Sequence, residues 1–174
     1  MRTTLLAALL STALMAGAGP AAAGDLQQDD LRFLREAAGG GLAEVALGKL
    51  AVEHGQSTEV RAFGRRMMED HGKGNEQLLT LAQSKQVELP AEVPADAKQT
   101  GERLATLSGP AFDREFMNGM VADHEKAVHA FEQEAKSSAD SDLRQFAQQA
   151  LPMLRDHLAQ AQRIQTTLKG QSRL

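Results

Sequence analysis

Three residue types that carry much of the redox chemistry of proteins are absent, because the 174-residue sequence has no cysteine, no tryptophan and no tyrosine. A chain without cysteine has no disulfide, no thiolate metal ligand, no thiol nucleophile and no attachment site for c-type haem. A chain without tyrosine has no tyrosyl radical and no tyrosine proton relay. The core must be built from leucine, alanine, methionine and six phenylalanines. That mixture favours packed helices over sheets.

The charges show no excess of one sign that would attract a polyanion. Lysine and arginine number 19, aspartate and glutamate number 23, and the two signs are interspersed along the chain. Nucleic acid is therefore not an expected partner, because proteins that bind it present a basic patch or stripe. The composition leaves a protein partner and a homo-oligomer both open.

A short apolar run lies close to the N-terminus. Arg2 precedes the run from Leu5 to Met15, and Ala21-Ala22-Ala23 follows it. This order predicts a secretory signal peptide over residues 1–23 that is cleaved after Ala23. No later segment is apolar enough to span a membrane. The mature chain is therefore expected in the bacterial periplasm or outside the cell.

Helical periodicity dominates the rest of the chain. It predicts four long helices over residues 30–54, 57–87, 110–136 and 141–169, and a short helix over 95–107. The first two helices are joined by a tight turn, whereas the segment from Glu88 to Gly109 can run the length of a bundle. This order of hairpin, long crossover and hairpin predicts an all-α, ferritin-like four-helix bundle, with an up-down-up-down bundle as the alternative. The bundle is expected to span residues 30–169, between a short lead (24–29) and a C-terminal tail (170–174).

Glycines raise two local questions about the first helix. Gly39, Gly40 and Gly41 each cost about 1 kcal/mol relative to alanine in a helix. Either the helix breaks there, or the glycines allow another segment to come close; we expect the helix to continue. Gly55 is expected to end this helix in the left-handed conformation that glycine adopts readily.

One pattern, Met-x-x-Asp-His, occurs three times, at Met67–His71, Met120–His124 and Met153–His157. Residues four apart share one face of a helix. Three predicted helices therefore each present a thioether and an imidazole in the same direction. The third copy falls on the apolar stripe predicted for the last helix, which reads Leu143, Phe146, Ala150, Met153, His157, Ala161, Ile164 and Leu168.

The chain resembles the bacterial family known as domain of unknown function 4142, whose members are ferritin-like secreted proteins. The resemblance covers about residues 30–164. It is carried by Ala43-Glu44-Val45, Leu47 to Ala51, Phe63, Met67 to His71, Lys73, Phe112-Asp113, Met120 to His124, Pro152 and His157-Leu158. The resemblance implies a ferritin-like bundle and implies no activity.

Imidazoles and carboxylates on four helices predict a metal site inside the bundle. Ferritin-like dinuclear sites take a glutamate from each of two helices and a Glu-x-x-His motif from each of the other two, and this chain lacks the paired motif. The candidate ligands here are Glu44, Asp70, His71, Asp123, His124, Asp156 and His157. A site rich in histidine suits zinc, copper or iron better than magnesium or calcium. Manganese is a further candidate, because ferritin-like dinuclear sites hold either iron or manganese.

Several roles stay open for these residues. Each aspartate points about 100° away from its histidine on an ideal helix, so it can instead bond to an imidazole of a neighbouring helix and fix its tautomer. The methionines with the histidines would suit Cu(I), although methionine is also a common gap-filler of helical cores. A glutamate at the position of Glu44 is more often a solvated helix residue than a ligand, and His54 and His129 are expected to be exposed or at helix ends.

Three classes of function therefore remain open. The first is a transition-metal-binding protein without turnover, and the second is a metal-dependent oxidoreductase or peroxide-handling enzyme. The third is a metal-free structural or interaction module of the cell envelope, in which the Asp–His pairs are part of the core.

Overall fold

A computed structural model describes residues 26–171 of the protein. The predicted signal peptide lies outside the described residues, as do the first two residues of the predicted lead and the last three of the tail. The elements are α1 (Gln28–His54), α2 (Thr58–Ser84), α3 (Ala95–Ala105), α4 (Gly109–Ser137) and α5 (Ser141–Gln171). The prediction of an all-α, ferritin-like four-helix bundle is confirmed, and α3 is the predicted short helix in the crossover.

Two polar contacts show that α2 and α4 run parallel, as the long crossover requires. At one end of the bundle, the Asp113 carboxylate near the start of α4 accepts hydrogen bonds from the backbone amides of Gln56 and Ser57, at 2.9 Å and 2.8 Å. At the other end, the Lys85 ammonium after α2 lies 2.6 Å from Asp140, just after α4. The starts of α2 and α4 therefore share one end, and their C-terminal ends share the other.

Glycines set how closely α1 approaches its neighbours. α1 continues through Gly39, Gly40 and Gly41, as expected, and a Cβ at Gly39 would lie 2.9 Å from the Pro94 side chain. Further along α1, a Cβ at Gly48 would lie 2.7 Å from a backbone carbonyl of α2. Contacts this close favour glycine, because it has no Cβ to collide with the Pro94 ring or with the α2 backbone.

The prediction for Gly55 is wrong. Its φ is −62° and its ψ is 131°, which is extended backbone. A Cβ at Gly55 would lie 2.5 Å from the Ala51 carbonyl oxygen, so lack of space explains the glycine. The turn that follows is held by the Asp113 carboxylate and does not need a left-handed residue.

The hydrophobic core consists of two clusters, one toward each end of the bundle. The cluster near the α1–α2 turn contains Leu47, Ala51, Val60, Phe63, Met67, Leu104, Phe112, Phe116, Met117, Met120, Ala161, Ile164 and Leu168. The cluster at the opposite end contains Phe33, Leu34, Ala38, Leu78, Leu143 and Ala147. A layer of buried polar side chains and a cavity occupy the space between them.

The middle of the apolar stripe predicted for α5 is wrong, whereas its first residue, Leu143, is buried as predicted. Ala147, Leu151 and Leu154 are buried there, whereas Phe146, Ala150 and Met153 are only partly buried. The last three line the cavity, so the space that they face is not closed by packing. The second half of the stripe is buried as predicted.

No helix between residues 26 and 171 carries an apolar stretch long enough to cross a membrane.

Candidate metal centre

The three histidines of the repeated motif meet in one layer of the bundle. His71 of α2, His124 of α4 and His157 of α5 each offer one ring nitrogen, and these three atoms lie within 4.8 Å of one another. The residues are 9%, 1% and 0% exposed, respectively. Each histidine lies near the middle of its helix, so the three imidazoles form a triangle at one depth of the bundle.

An aromatic ring lies against this triangle from the side of the α1–α2 turn. The centroid of the Phe63 ring is 6.3 Å from that of His124 and 6.2 Å from that of His157. Phe63 belongs to the same apolar cluster as Met67 and Met120. Those two methionines therefore pack as core residues, as the gap-filling interpretation expected.

Asp70 bonds to an imidazole on a neighbouring helix. The Nε2–H of His157 donates to Asp70 Oδ2 at 2.9 Å, and Arg66 holds the same oxygen at 3.2 Å. A carboxylate that accepts from one ring nitrogen fixes the tautomer and leaves the lone pair on the other nitrogen. The structure thus shows for Asp70 the alternative role considered for all three motif aspartates.

His124 is oriented in a similar way by the backbone. Its Nδ1–H donates to the Met120 carbonyl oxygen at 2.9 Å, because a carbonyl can only accept. His71 Nε2, His124 Nε2 and His157 Nδ1 are buried and have no hydrogen-bond partner among residues 26–171. Buried polar atoms are nearly always paired, so three unpaired nitrogens in one layer require an explanation.

Glu44 of α1 joins the histidines, so the expectation that it is solvated is wrong. Glu44 is 8% exposed, and its Oε1 lies 3.8 Å from His124 Nδ1. Its other carboxylate oxygen, Oε2, is buried and has no hydrogen-bond partner in the described chain. Burial, assisted by the negative charge of Asp123, raises the pKa of Glu44 to about 8. Without a cation beside it, this carboxyl is mainly protonated at neutral pH.

The other two candidate aspartates lie outside the triangle. Asp123 lines the cavity, is 45% exposed at its side chain and lies 3.7 Å from Lys126. Asp156 is 54% exposed at its side chain and pairs with Arg66 at 2.7 Å. Arg66 thus links the aspartates of two motif copies. The sequence analysis did not single out Arg66, although its position four residues before Asp70 places the two on one face of a helix.

The imidazoles of the triangle are neutral at pH 7. Burial, assisted by the charges of the neighbouring histidines, lowers the pKa of His71 to about 3 and that of His124 to about 4. Burial also lowers the pKa of His157. Each imidazole therefore carries a free lone pair, which is the state that binds a metal ion.

The remaining two histidines lie elsewhere. His54 is half-buried at the end of α1 and stacks on Phe112 at a centroid distance of 5.8 Å. His129 is exposed on α4.

A cavity of about 660 Å³ adjoins the triangle on the side opposite Phe63. His71, His124 and Glu44 line its inner end, and Met153 lies on its wall. The site is therefore closed by the apolar cluster on one side and open to a cavity on the other.

Two comparisons place the chain among known proteins, and no curated protein matches it. A crystal structure of a DUF305 fragment from Deinococcus radiodurans is similar to this chain, with a TM-score of 0.71 and 13% sequence identity. The match covers 82% of this chain and 98% of the fragment. At that identity the likeness shows the fold alone. The model of the family described as domain of unknown function (DUF4142) matches residues 16–164. The chain therefore belongs to the DUF4142 family.

Proposed function

We propose that this protein binds one transition-metal ion through His71, His124 and His157, with Glu44 as the fourth protein ligand. The observation that carries the proposal is the meeting of three buried, neutral histidines, each of which offers a ring nitrogen within 4.8 Å of the other two and has a buried ring nitrogen without a partner in the described chain. A structural role needs each buried nitrogen to have a hydrogen-bond partner. A metal ion would satisfy all three at once.

The size of the triangle supports the proposal. Even if all three separations were at the 4.8 Å limit, the centre of the triangle would lie about 2.8 Å from each nitrogen, so each nitrogen needs to move inward by no more than about 0.7 Å to reach the Zn–N bond length of about 2.1 Å. Side-chain rotations of that size need no movement of the helices. The hydrogen bonds on His157 and His124 are those that typically orient metal-bound histidines.

The donor set supports a single ion of zinc, copper or iron. Imidazole suits these metals, whereas magnesium, calcium and manganese prefer sites rich in oxygen donors. A ferritin-like dinuclear site uses four glutamates as well as two histidines, and the layer between the two core clusters contains Glu44 as its buried carboxylate. A mononuclear metal-binding protein therefore agrees with the site better than a di-metal oxidoreductase does.

We also infer that the protein acts in the periplasm or outside the cell. The inference rests on the N-terminal sequence, in which Arg2, the apolar run from Leu5 to Met15 and the alanines before Gly24 follow the order of a secretory signal peptide. A chain without cysteine is suited to an oxidising compartment, because it has no thiol to protect.

The test is a metal titration of untagged protein that has first been treated with a chelator. Zinc, copper and ferrous iron are each added to the wild-type protein, to the His71→Ala/His124→Ala variant and to the His129→Ala variant, and binding is followed by calorimetry. We expect one ion per wild-type chain, the same for His129→Ala, and no stoichiometric binding for the double variant.

Circular dichroism of each variant shows whether it has folded. A wild-type protein that binds no zinc, copper or iron while fully helical would refute the proposal. The triangle would then be part of the core of a metal-free structural module.

A further inference from the structure

The cavity beside the triangle is wide because several of the residues that line it are small. Gly74 follows His71 by one helical turn, and a Cβ built there meets no atom within 4 Å. Ala127 and Ala130 of α4 and Ala150 of α5 also line the space. Protein interiors are normally packed as densely as organic crystals, and each unfilled space costs stability. An unfilled volume of about 660 Å³ between two well-packed clusters therefore indicates a function.

The walls of the cavity are mainly apolar beyond its inner end. The aromatic part is formed by Phe33, Phe131 and Phe146, which pack on one another with centroid distances of 4.9 Å and 6.0 Å. Leu78 and Met153 add aliphatic surface. Such walls suit a hydrocarbon or aromatic group better than a sugar or a nucleotide, which needs hydrogen-bond partners along its whole length.

Polar groups stand at the two ends of the cavity. His71, His124 and Glu44 form the inner end, and the outer rim carries the exposed cations Arg35 and Lys126 beside exposed acidic residues. A ligand that fits this pattern is apolar along its length and has one polar head that reaches the inner end. Cavities of about 300–1,000 Å³ with a few convergent polar groups are typical of small-molecule sites.

We propose that the cavity binds a small apolar monocarboxylate, with the carboxylate on the metal ion and the apolar part against the phenylalanines. This inference rests on the proposed metal site. A divalent ion with three neutral imidazoles and one ionised Glu44 has a net charge of +1, and the nearby Asp123 carboxylate is paired with Lys126 at 3.7 Å. A monoanionic head neutralises that charge in a buried site, whereas a dianion or a cation leaves charge uncompensated.

The test uses decanoate as the probe, with decanol as its uncharged counterpart. Calorimetric titrations are made on zinc-loaded and on metal-free wild-type protein. We expect decanoate to bind the zinc-loaded protein at least 10-fold more tightly than the metal-free protein, and decanol to show no such difference.

A matched pair of variants locates the binding. Gly72→Leu and Gly74→Leu lie two residues apart on α2, both positions have open space around the added Cβ, and only Gly74 lines the cavity. Leucine also favours a helix more than glycine does, so both variants should fold. Gly74→Leu should weaken decanoate binding at least 10-fold with one zinc still bound, and Gly72→Leu should leave it unchanged. Ala150→Leu on α5 should repeat the Gly74 result.

The outcomes separate the two proposals. Protein that binds one zinc but no decanoate, or that binds decanoate equally well in both glycine variants, overturns the cavity inference and leaves the metal site in place. Equal binding of decanoate with and without zinc overturns the contact between the carboxylate and the metal. Failure to bind zinc at all is a failure of the metal site itself.

Discussion

Replacing Glu44 with glutamine tests whether the carboxyl is buried as a neutral group beside the histidines. Its folded pKa is about 8 against an ordinary value of 4.5. A raised pKa means that, between pH 4.5 and pH 8, the unfolded chain gives up a proton that the folded chain retains. Metal-free wild-type protein therefore loses stability as the pH rises through this window. Glutamine resembles the protonated carboxyl in shape and does not ionise, so the variant lacks this loss.

The magnitude follows from the size of the shift. One pKa unit corresponds to about 1.4 kcal/mol, so the full shift corresponds to about 5 kcal/mol as an upper limit. Relaxation of the cavity wall and water in the cavity reduce this value, and we expect about 2 kcal/mol between pH 5 and pH 8. The histidine contributions are the same in both proteins and cancel in the difference.

The assay is urea unfolding of chelator-treated wild-type and Glu44→Gln protein at pH 5, 6, 7 and 8. The variant should become more stable than the wild type by about 2 kcal/mol as the pH rises from 5 to 8. Parallel pH profiles would refute the reasoning, because they would mean that Glu44 is ionised in the folded protein. Zinc binding at pH 7 supplies a second readout: it should release about one proton from the wild type and none from the variant.

Three further predictions concern the residues around the site and the turn that orients the helices. Asp70→Asn should weaken zinc binding about 10- to 100-fold without unfolding the protein, because the carboxylate no longer orients His157; unchanged affinity in a calorimetric titration would contradict this role. Asp113→Ala should lower the free energy of unfolding by about 2–3 kcal/mol, because two backbone amides lose a charged acceptor; a urea midpoint equal to that of the wild type would show that Asp113 does not stabilise this turn. In metal-free Glu44→Gln protein, stability should fall as the pH drops below about 6.5, because the folded pKa values of His71 and His124 lie near 3 and 4 and the unfolded chain takes up protons first; a flat urea profile from pH 7 to pH 5 would contradict their burial.

The meeting of the histidines could be predicted because it depends on local geometry. His71, His124 and His157 stand in the same motif on three long helices, and residues four apart share a face in any helix. The hairpins and the crossover then bring those faces to one depth. The prediction needed only helical periodicity and the lengths of the connections.

The roles of the carboxylates could not be predicted, because they depend on neighbouring helices. Asp70, Asp123 and Asp156 stand in the same motif, yet Asp70 alone of the three bonds to a triangle histidine in the described structure. Which one does so depends on how α2 packs beside α5. Glu44 has no repeated counterpart, and its burial depends on which face of α1 meets the bundle.

The cavity could not be predicted from the sequence either. The stripe through Phe146, Ala150 and Met153 has the period of a core face, and a period cannot show whether the facing residues fill the space. The facing positions are glycine and alanine, at Gly74 and Ala127 among others. Alanine and glycine fit a closely packed helix pair as well as an open cavity, so the sequence could not distinguish the two.

The metal content of the protein as the cell makes it tests the central claim most directly. The full chain is expressed without a histidine tag, purified from the secreted or periplasmic fraction, and measured by elemental analysis beside the His71→Ala/His124→Ala variant. The proposed site predicts close to one zinc, copper or iron ion per wild-type chain and none in the variant. Equal metal content in the two proteins, or a wild-type protein that is free of metal and cannot be loaded, would contradict a metal site at the three histidines.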